Sequence, residues 1–113
     1  MNLSKYIKSK PQRGDYLAQY LKNEDNERTW LEDCIDEFFQ DGDLPYLLRC
    51  VEYVIKVRGR GTIASIAKKL ETNQRSVREI LNHRKKPRVE KVFSLIRGMG
   101  YKIKFRVAPR LPR

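Results

Sequence analysis

Gln74, Arg75, Arg78 and Glu79 recur at i, i+1, i+4 and i+5, a spacing that places all four on one outward side of a helix. Their chemistry suits the edges of base pairs. An arginine fork matches the O6/N7 edge of guanine and a glutamine amide the N6/N7 edge of adenine, each pairing worth about 1–3 kcal/mol of discrimination. The loop that follows, "HRKKPR", supplies Arg84, Lys85, Lys86 and Arg88, cations that suit phosphate oxygens and carry no sequence information. No other chemistry is written as clearly. His83 has no recognisable base or nucleophile paired with it, and no paired carboxylates or phosphate-binding glycine loop appear, so an enzyme is the least supported class. Two cysteines and one histidine make no credible zinc set, and neither metal nor cofactor is expected.

A face of this kind has to be held away from a core. Val77, Ile80 and Leu81 give the same helix an apolar side, and Asn73 is placed to cap its start. Upstream, Thr62 is expected to cap a first helix running to Leu70, with Ala67 small where the two helices cross. Two short helices joined by three or four residues, a small residue at the crossing and a polar start to the second are the ingredients of a helix-turn-helix.

The other elements read as a helical body for that pair. At 113 residues the chain is expected to form one domain over 14–107, with a flexible basic arm at 1–13 and a flexible basic tail at 108–113. Tyr16, Leu17, Tyr20 and Leu21 mark a short helix. Trp30, Leu31, Cys34, Ile35, Phe38 and Phe39 form the stripe of a longer one, ended by Gly42. Asp43 caps the next, with Pro45 in its first turn, and its Leu47, Leu48, Val51, Val54 and Ile55 make it the most apolar and therefore central helix. Val89, Val92, Phe93, Ile96 and Met99 face inward from a last helix ended by Gly100.

The period then changes from 3.6 to 2. Tyr101, Ile103 and Phe105 alternate with Lys102, Lys104 and Arg106, the pattern of a strand. A lone strand needs a partner, which could be the same strand of a second copy, the N-terminal "LSKYIKSK" segment or another protein. The homodimer is favoured because helix-turn-helix readers usually need two half-sites. The fold class expected is thus mainly α: a five- to six-helix bundle with one C-terminal β-strand pairing between chains.

Charge divides the chain. Residues 24–43 hold nine acids and one base, residues 56–113 eighteen bases and three acids, and the whole carries +11. The basic half suggests a polyanion such as nucleic acid. The acidic helix would repel DNA, should lie away from it, and is free to meet a basic partner through Glu32, Asp33, Asp36 and Glu37. No apolar run is long enough to span a membrane, no signal-peptide core is seen, and Cys34 and Cys50 fit reduced thiols, so a cytoplasmic location is expected.

The run "TIASIAKKLETNQRSVREILNHRKKP" resembles the helix-turn-helix of lambdoid phage repressors in its cap, its Ala, its cap-plus-Gln start, its Ser-Val pair and its basic-Pro loop. More widely, "YL..YL", the acidic helix, "DGD" with "LLR", "VRGRGTIASIAKKL", "VREILN" and "KPRVEKVFSLIRGMGYKIKF" follow in the order of the HigA-like addiction-module antidotes, with their Xre-like, lambda-repressor-like helix-turn-helix. That resemblance implies an antitoxin that represses its own operon and neutralises a RelE/HigB-like toxin. It also implies base reading by Gln74, Arg75, Arg78 and Glu79, and phosphate contacts by Thr62, Ser76 and Asn82 with Lys85 and Lys86. Glu71 stands in the turn where the resembled family usually has Gly, so either the backbone avoids positive φ there or Glu adopts it at a modest cost. Ile63 replaces a polar residue of the phage repressors. Two other readings remain: a phage or plasmid regulator without a toxin, and a module that binds RNA or augments a sheet, for which Tyr101 and Phe105 offer a trace of aromatic face.

Overall fold

The structure is a computed structural model that describes residues 14–83 and 86–104. Among them are six α-helices: α1 (Gly14–Leu21), α2 (Glu24–Asp41), α3 (Leu44–Arg58), α4 (Thr62–Lys69), α5 (Gln74–Asn82) and α6 (Val89–Gly98). The expected arm at 1–13, the tail at 108–113, and Arg84, Lys85 and Phe105 lie outside the described residues.

Local chemistry sets most of the boundaries. Asn23 starts α2 by accepting the Asn26 N–H, and Gly42 ends it at φ 71°, donating its N–H to the Phe38 carbonyl at 2.7 Å. That left-handed turn suits a residue without Cβ. Asp43 then caps α3 by accepting the Tyr46 N–H at 3.1 Å, with Pro45 in the first turn. Such a cap is typically worth about 1 kcal/mol.

The apolar stripe of α3 fixes its place. Leu47, Leu48, Cys50, Val51 and Val54 are fully buried, and the helix packs against α1, α2, α4 and α6, so it is the central element that its composition predicts. Trp30, Leu31 and Cys34 of α2 cover one side of it, and Leu17 and Leu21 of α1 close the core nearby. Cys34 and Cys50 are free, buried thiols; the hydrogen bond that the Cys34 thiol donates to Cys50, and then burial, push its pKa up, so it stays protonated.

Three expected core residues face solvent instead. Tyr16 is 73% exposed, Phe39 52% and Val89 42%. Phe39 still touches the core rim, meeting Phe93 edge-on at 6.3 Å. Leu95, absent from the predicted face of α6, is fully buried.

The described part of the expected C-terminal strand, residues 101–104, is in no ladder within this single chain. Tyr101–Lys104 have no regular structure among the described residues, because no neighbouring edge offers a ladder. The alternation itself survives: Tyr101 and Ile103 are half-buried, Lys102 and Lys104 exposed.

Candidate nucleic-acid interface

Two short helices, α4 and α5, meet through residues 70–73. The joint is built by the C-terminus of α4: the Glu71 N–H donates to the Lys68 carbonyl (3.2 Å) and the Thr72 N–H to the Ala67 carbonyl (2.9 Å). This is the paired closure that usually has glycine at its left-handed position. Here that residue is Glu71 at φ 56°, the only positive-φ residue other than glycine among those described. Asn73 follows and caps α5, accepting the Ser76 N–H at 2.8 Å.

Beneath the joint the packing is tight. Ala67 is buried at the crossing, Val77 and Leu81 turn the apolar side of α5 inward, and Ile80 is half-buried. Gly98 of α6 lies under α4 so closely that a Cβ would stand 2.7 Å from Ile66 Cγ2 and 3.2 Å from Leu70 Cγ. Ile63, half-buried, packs against the core rather than projecting outward.

What α5 presents to solvent is the predicted set. Gln74, Arg75, Arg78 and Glu79 are all exposed, and they associate in two pairs one turn apart. Arg78 Nη2 donates to Gln74 Oε1 at 3.3 Å, and Arg75 Nε lies 3.7 Å from Glu79 Oε1. Exposed pairs of this sort are worth only about 0.2–1 kcal/mol, so a better partner can take either arginine at little cost.

The residues expected to grip phosphate divide. Asn82, Lys86 and Arg88 are exposed beside α5, and Ser76 is half-buried on its flank. Thr62 does not join them. Gly61, at φ 90°, occupies the cap position it was expected to hold, and Thr62 is buried inside the first turn with its hydroxyl donating to the Gly59 carbonyl at 2.7 Å. The hydroxyl stabilises the α3–α4 loop and is turned away from solvent.

A cleft runs along the same flank of α5, and Ser76, Lys86 and Arg88 of the phosphate set are among its lining. Its walls are α5 (Ser76, Glu79, Ile80, His83) and α6 (Lys91, Ser94, Arg97), closed at the ends by Leu70 and Thr72 and by Lys86–Arg88.

On the acidic side, Glu32, Asp33 and Asp36 of α2 border a groove whose opposite edge is Tyr101–Lys104 and whose floor includes Leu31, Ile35 and Ile96. Two sets of residues selected for different reasons, the acids of α2 and the period-2 segment, therefore share one surface feature. Glu37 is half-buried and lies outside that lining.

The residues that sequence reasoning missed are Glu27, Arg58 and, in its actual role, Tyr101. Glu27 is 5% exposed, yet Arg58 meets its carboxylate with two bonds, Nη2 to Oε1 at 2.6 Å and Nε to Oε2 at 3.0 Å. Arg58 also donates to the Met99 carbonyl (3.0 Å), and the Tyr101 hydroxyl donates to Glu27 Oε1 (2.6 Å). The cluster ties the open end of the α2–α3 hairpin to the C-terminal segment. The bond to Glu27 raises the Arg58 pKa. Burial first, and then the bond to Glu27, push Tyr101 up to about 12. The signal was present in the spacing: Glu27 continues the Trp30–Leu31–Cys34 stripe one turn back, and Arg58 continues the Val51–Val54–Ile55 stripe one turn on. Opposite charges ending two apolar stripes of an antiparallel hairpin are placed to meet.

Among the described residues no helix is long and apolar enough to cross a membrane, and no group of His, Cys, Asp and Glu could hold a metal ion. Comparison of the chain with family models, curated proteins and solved structures gives no match.

Proposed function

We propose that the chain is a cytoplasmic, sequence-specific DNA-binding regulator of the antitoxin class. It binds operator DNA as a homodimer, with α4, the 70–73 joint and α5 acting as a helix-turn-helix of the lambda-repressor type, represses its own operon, and neutralises a RelE/HigB-like toxin by direct binding. The observation that carries the DNA reading is the solvent face of α5, where two arginines and a glutamine are held only by weak exposed contacts above a tightly packed support. Those are the side-chain types that pair with guanine and adenine in the major groove. Asn82, Lys86 and Arg88, with Arg84 and Lys85 of the same loop, supply phosphate contacts.

The dimer reading assigns Tyr101, Ile103 and Phe105 to a strand completed by a second copy. Its support is the preserved alternation of half-buried and exposed residues over 101–104. The toxin reading assigns Glu32, Asp33, Asp36 and Glu37 to a basic partner; the first three border a groove with Leu31, Ile35 and Ile96 in its lining, where such a partner would compete with Lys102 and Lys104. A regulator without a toxin is favoured by one observation: Glu27, part of the same acidic helix, is committed to Arg58, so some of that charge serves the fold.

Fluorescence anisotropy with the DNA upstream of its own gene, against a random duplex, tests the DNA half. Arg75→Ala should relax sequence preference, while Lys86→Ala should weaken both duplexes alike and flatten the salt slope by about one. Equal loss on both duplexes for both variants undoes the assignment of α5. Co-purification with the product of the adjacent gene separates the antitoxin from the plain regulator.

A further inference from the structure

The two surface grooves differ in how their charges are balanced. The groove beside α2 sets Glu32, Asp33 and Asp36 across from Lys102 and Lys104, so it carries its own counter-charges. The cleft between α5 and α6 does not. It gathers Lys86, Arg88, Lys91 and Arg97 around one acid, Glu79, and that carboxylate lies toward Arg75 on the outer face of α5. None of the four cations makes an ion pair among the described residues. Four cations converging on a concave surface repel one another, and a polyanion relieves that repulsion.

We infer that the DNA track of Lys86 and Arg88 continues through the α5–α6 cleft, in which Lys91 and Arg97 hold the phosphodiester strand flanking the base pairs met by α5. The inference rests on the DNA reading above and extends it to a helix outside the helix-turn-helix. Position favours duplex DNA as the occupant. Glu79 belongs both to the cleft and to the base-facing set, so the two surfaces are continuous along α5. Arg88, at the start of α6, and Lys91 and Arg97 along it all line the cleft, so its cations are spread over the length of that helix. Ser94 lies between, with its hydroxyl committed to the Glu90 carbonyl at 2.8 Å, so the cations supply the attraction.

The test measures the affinity of the full chain for a random-sequence duplex across a salt series, for Lys91→Ala, Arg97→Ala and, as a control for net charge, Arg28→Ala on the acidic helix. Lys91 and Arg97 are exposed, so both variants should fold. Each is expected to lower the magnitude of the salt slope by about 0.9 and to weaken binding about fivefold at 0.15 M salt, whereas Arg28→Ala does neither. Arg97→Lys should restore the slope, since the contact needs charge and not a fork. If Lys91→Ala and Arg97→Ala behave like Arg28→Ala while Arg75→Ala still relaxes preference on the upstream DNA, the cleft is not a DNA track and the reading of α5 stands. If no variant alters duplex binding, or the loss appears on single-stranded RNA alone, both are overturned.

Discussion

Glu27 with Arg58 and Arg75 with Glu79 are both Arg–Glu pairs, and they behave oppositely. The first is bidentate, nearly buried at the carboxylate and joined by the Tyr101 hydroxyl; the second is a single 3.7 Å approach between exposed side chains. Burial removes the water that would otherwise stabilise the Glu27 carboxylate, so that side of the pair depends on Arg58 although the guanidinium itself stays partly exposed. The second remains solvated and exchangeable. The molecule therefore has a body, α1–α3 with residues 101–104, in which one charge cluster, Glu27 with Arg58 and Tyr101, is spent on holding elements together. It also has a head, α4–α6, where packing does the holding and charge is left open to a ligand.

The largest test of that division is Arg58→Ala. It leaves the Glu27 carboxylate buried with only Tyr101, and should cost about 3 kcal/mol or more in urea unfolding, with the slope of the transition unchanged. Glu27→Met combined with Arg58→Leu should recover most of the loss, because a desolvated pair contributes little net stability compared with apolar side chains. A single variant as stable as the parent would place the pair with the surface ones and erase the contrast. In the head, Gly98→Ala is the counterpart. The new methyl meets Ile66 Cγ2 at 2.7 Å, so overpacking costs about 1–3 kcal/mol, less the roughly 0.5–1 kcal/mol by which Ala favours a helix over Gly. An unchanged thermal midpoint would mean that α4 and α6 separate easily, and packing would not be what supports α5.

Tyr101→Phe sharpens the body side at lower amplitude. The folded state holds the phenolic proton more tightly than the unfolded state, its pKa being pushed from 10.0 to about 12. The associated stability is whole below pH 10 and is lost as pH rises from there through about 12, because the unfolded chain gives up its proton first. The Phe variant should lack that alkaline decline and be less stable by about 1 kcal/mol at neutral pH. Identical alkaline profiles for the two proteins would remove the hydroxyl from the cluster.

The parts of this architecture that depend on near neighbours could be read from the sequence. Asn73, Asp43 and Gly42 act within three or four residues of themselves, and all three hold the cap positions expected of them. The outward face of α5 was legible because a helix places i, i+1, i+4 and i+5 together whatever surrounds it. Thr62 failed by one residue: Gly61 beside it could adopt the left-handed start, and that is a property of the loop geometry. Phe39 and Val89 failed because periodicity gives the direction of an apolar stripe and not how fully it is covered. The period of two over 101–104 predicted alternate burial correctly, while a ladder requires a second edge that a single chain does not supply. The role of Gly98 depends on Ile66, thirty-two residues away, and no local pattern carries it.

Glu71 belongs to neither pattern, and the smallest expected effect tests why. It is exposed and without an ion pair among the described residues, and its backbone lies at φ 56°, where a side chain costs roughly 1 kcal/mol relative to glycine. Glu71→Gly relieves that strain and adds freedom to the unfolded chain worth roughly 0.5 kcal/mol or more, so the net gain in stability should be only a few tenths of a kcal/mol. Glu71→Gln keeps the strain and removes the charge, and should leave stability unchanged. On the proposed interface the expectation differs: both substitutions remove a negative charge from the joint beside α5, so both should tighten duplex binding equally at low salt and converge with the parent at high salt. A gain for Gly alone would make Glu71 a matter of backbone geometry, setting how far α5 projects, whereas a shared gain makes it a brake on DNA affinity built into the joint.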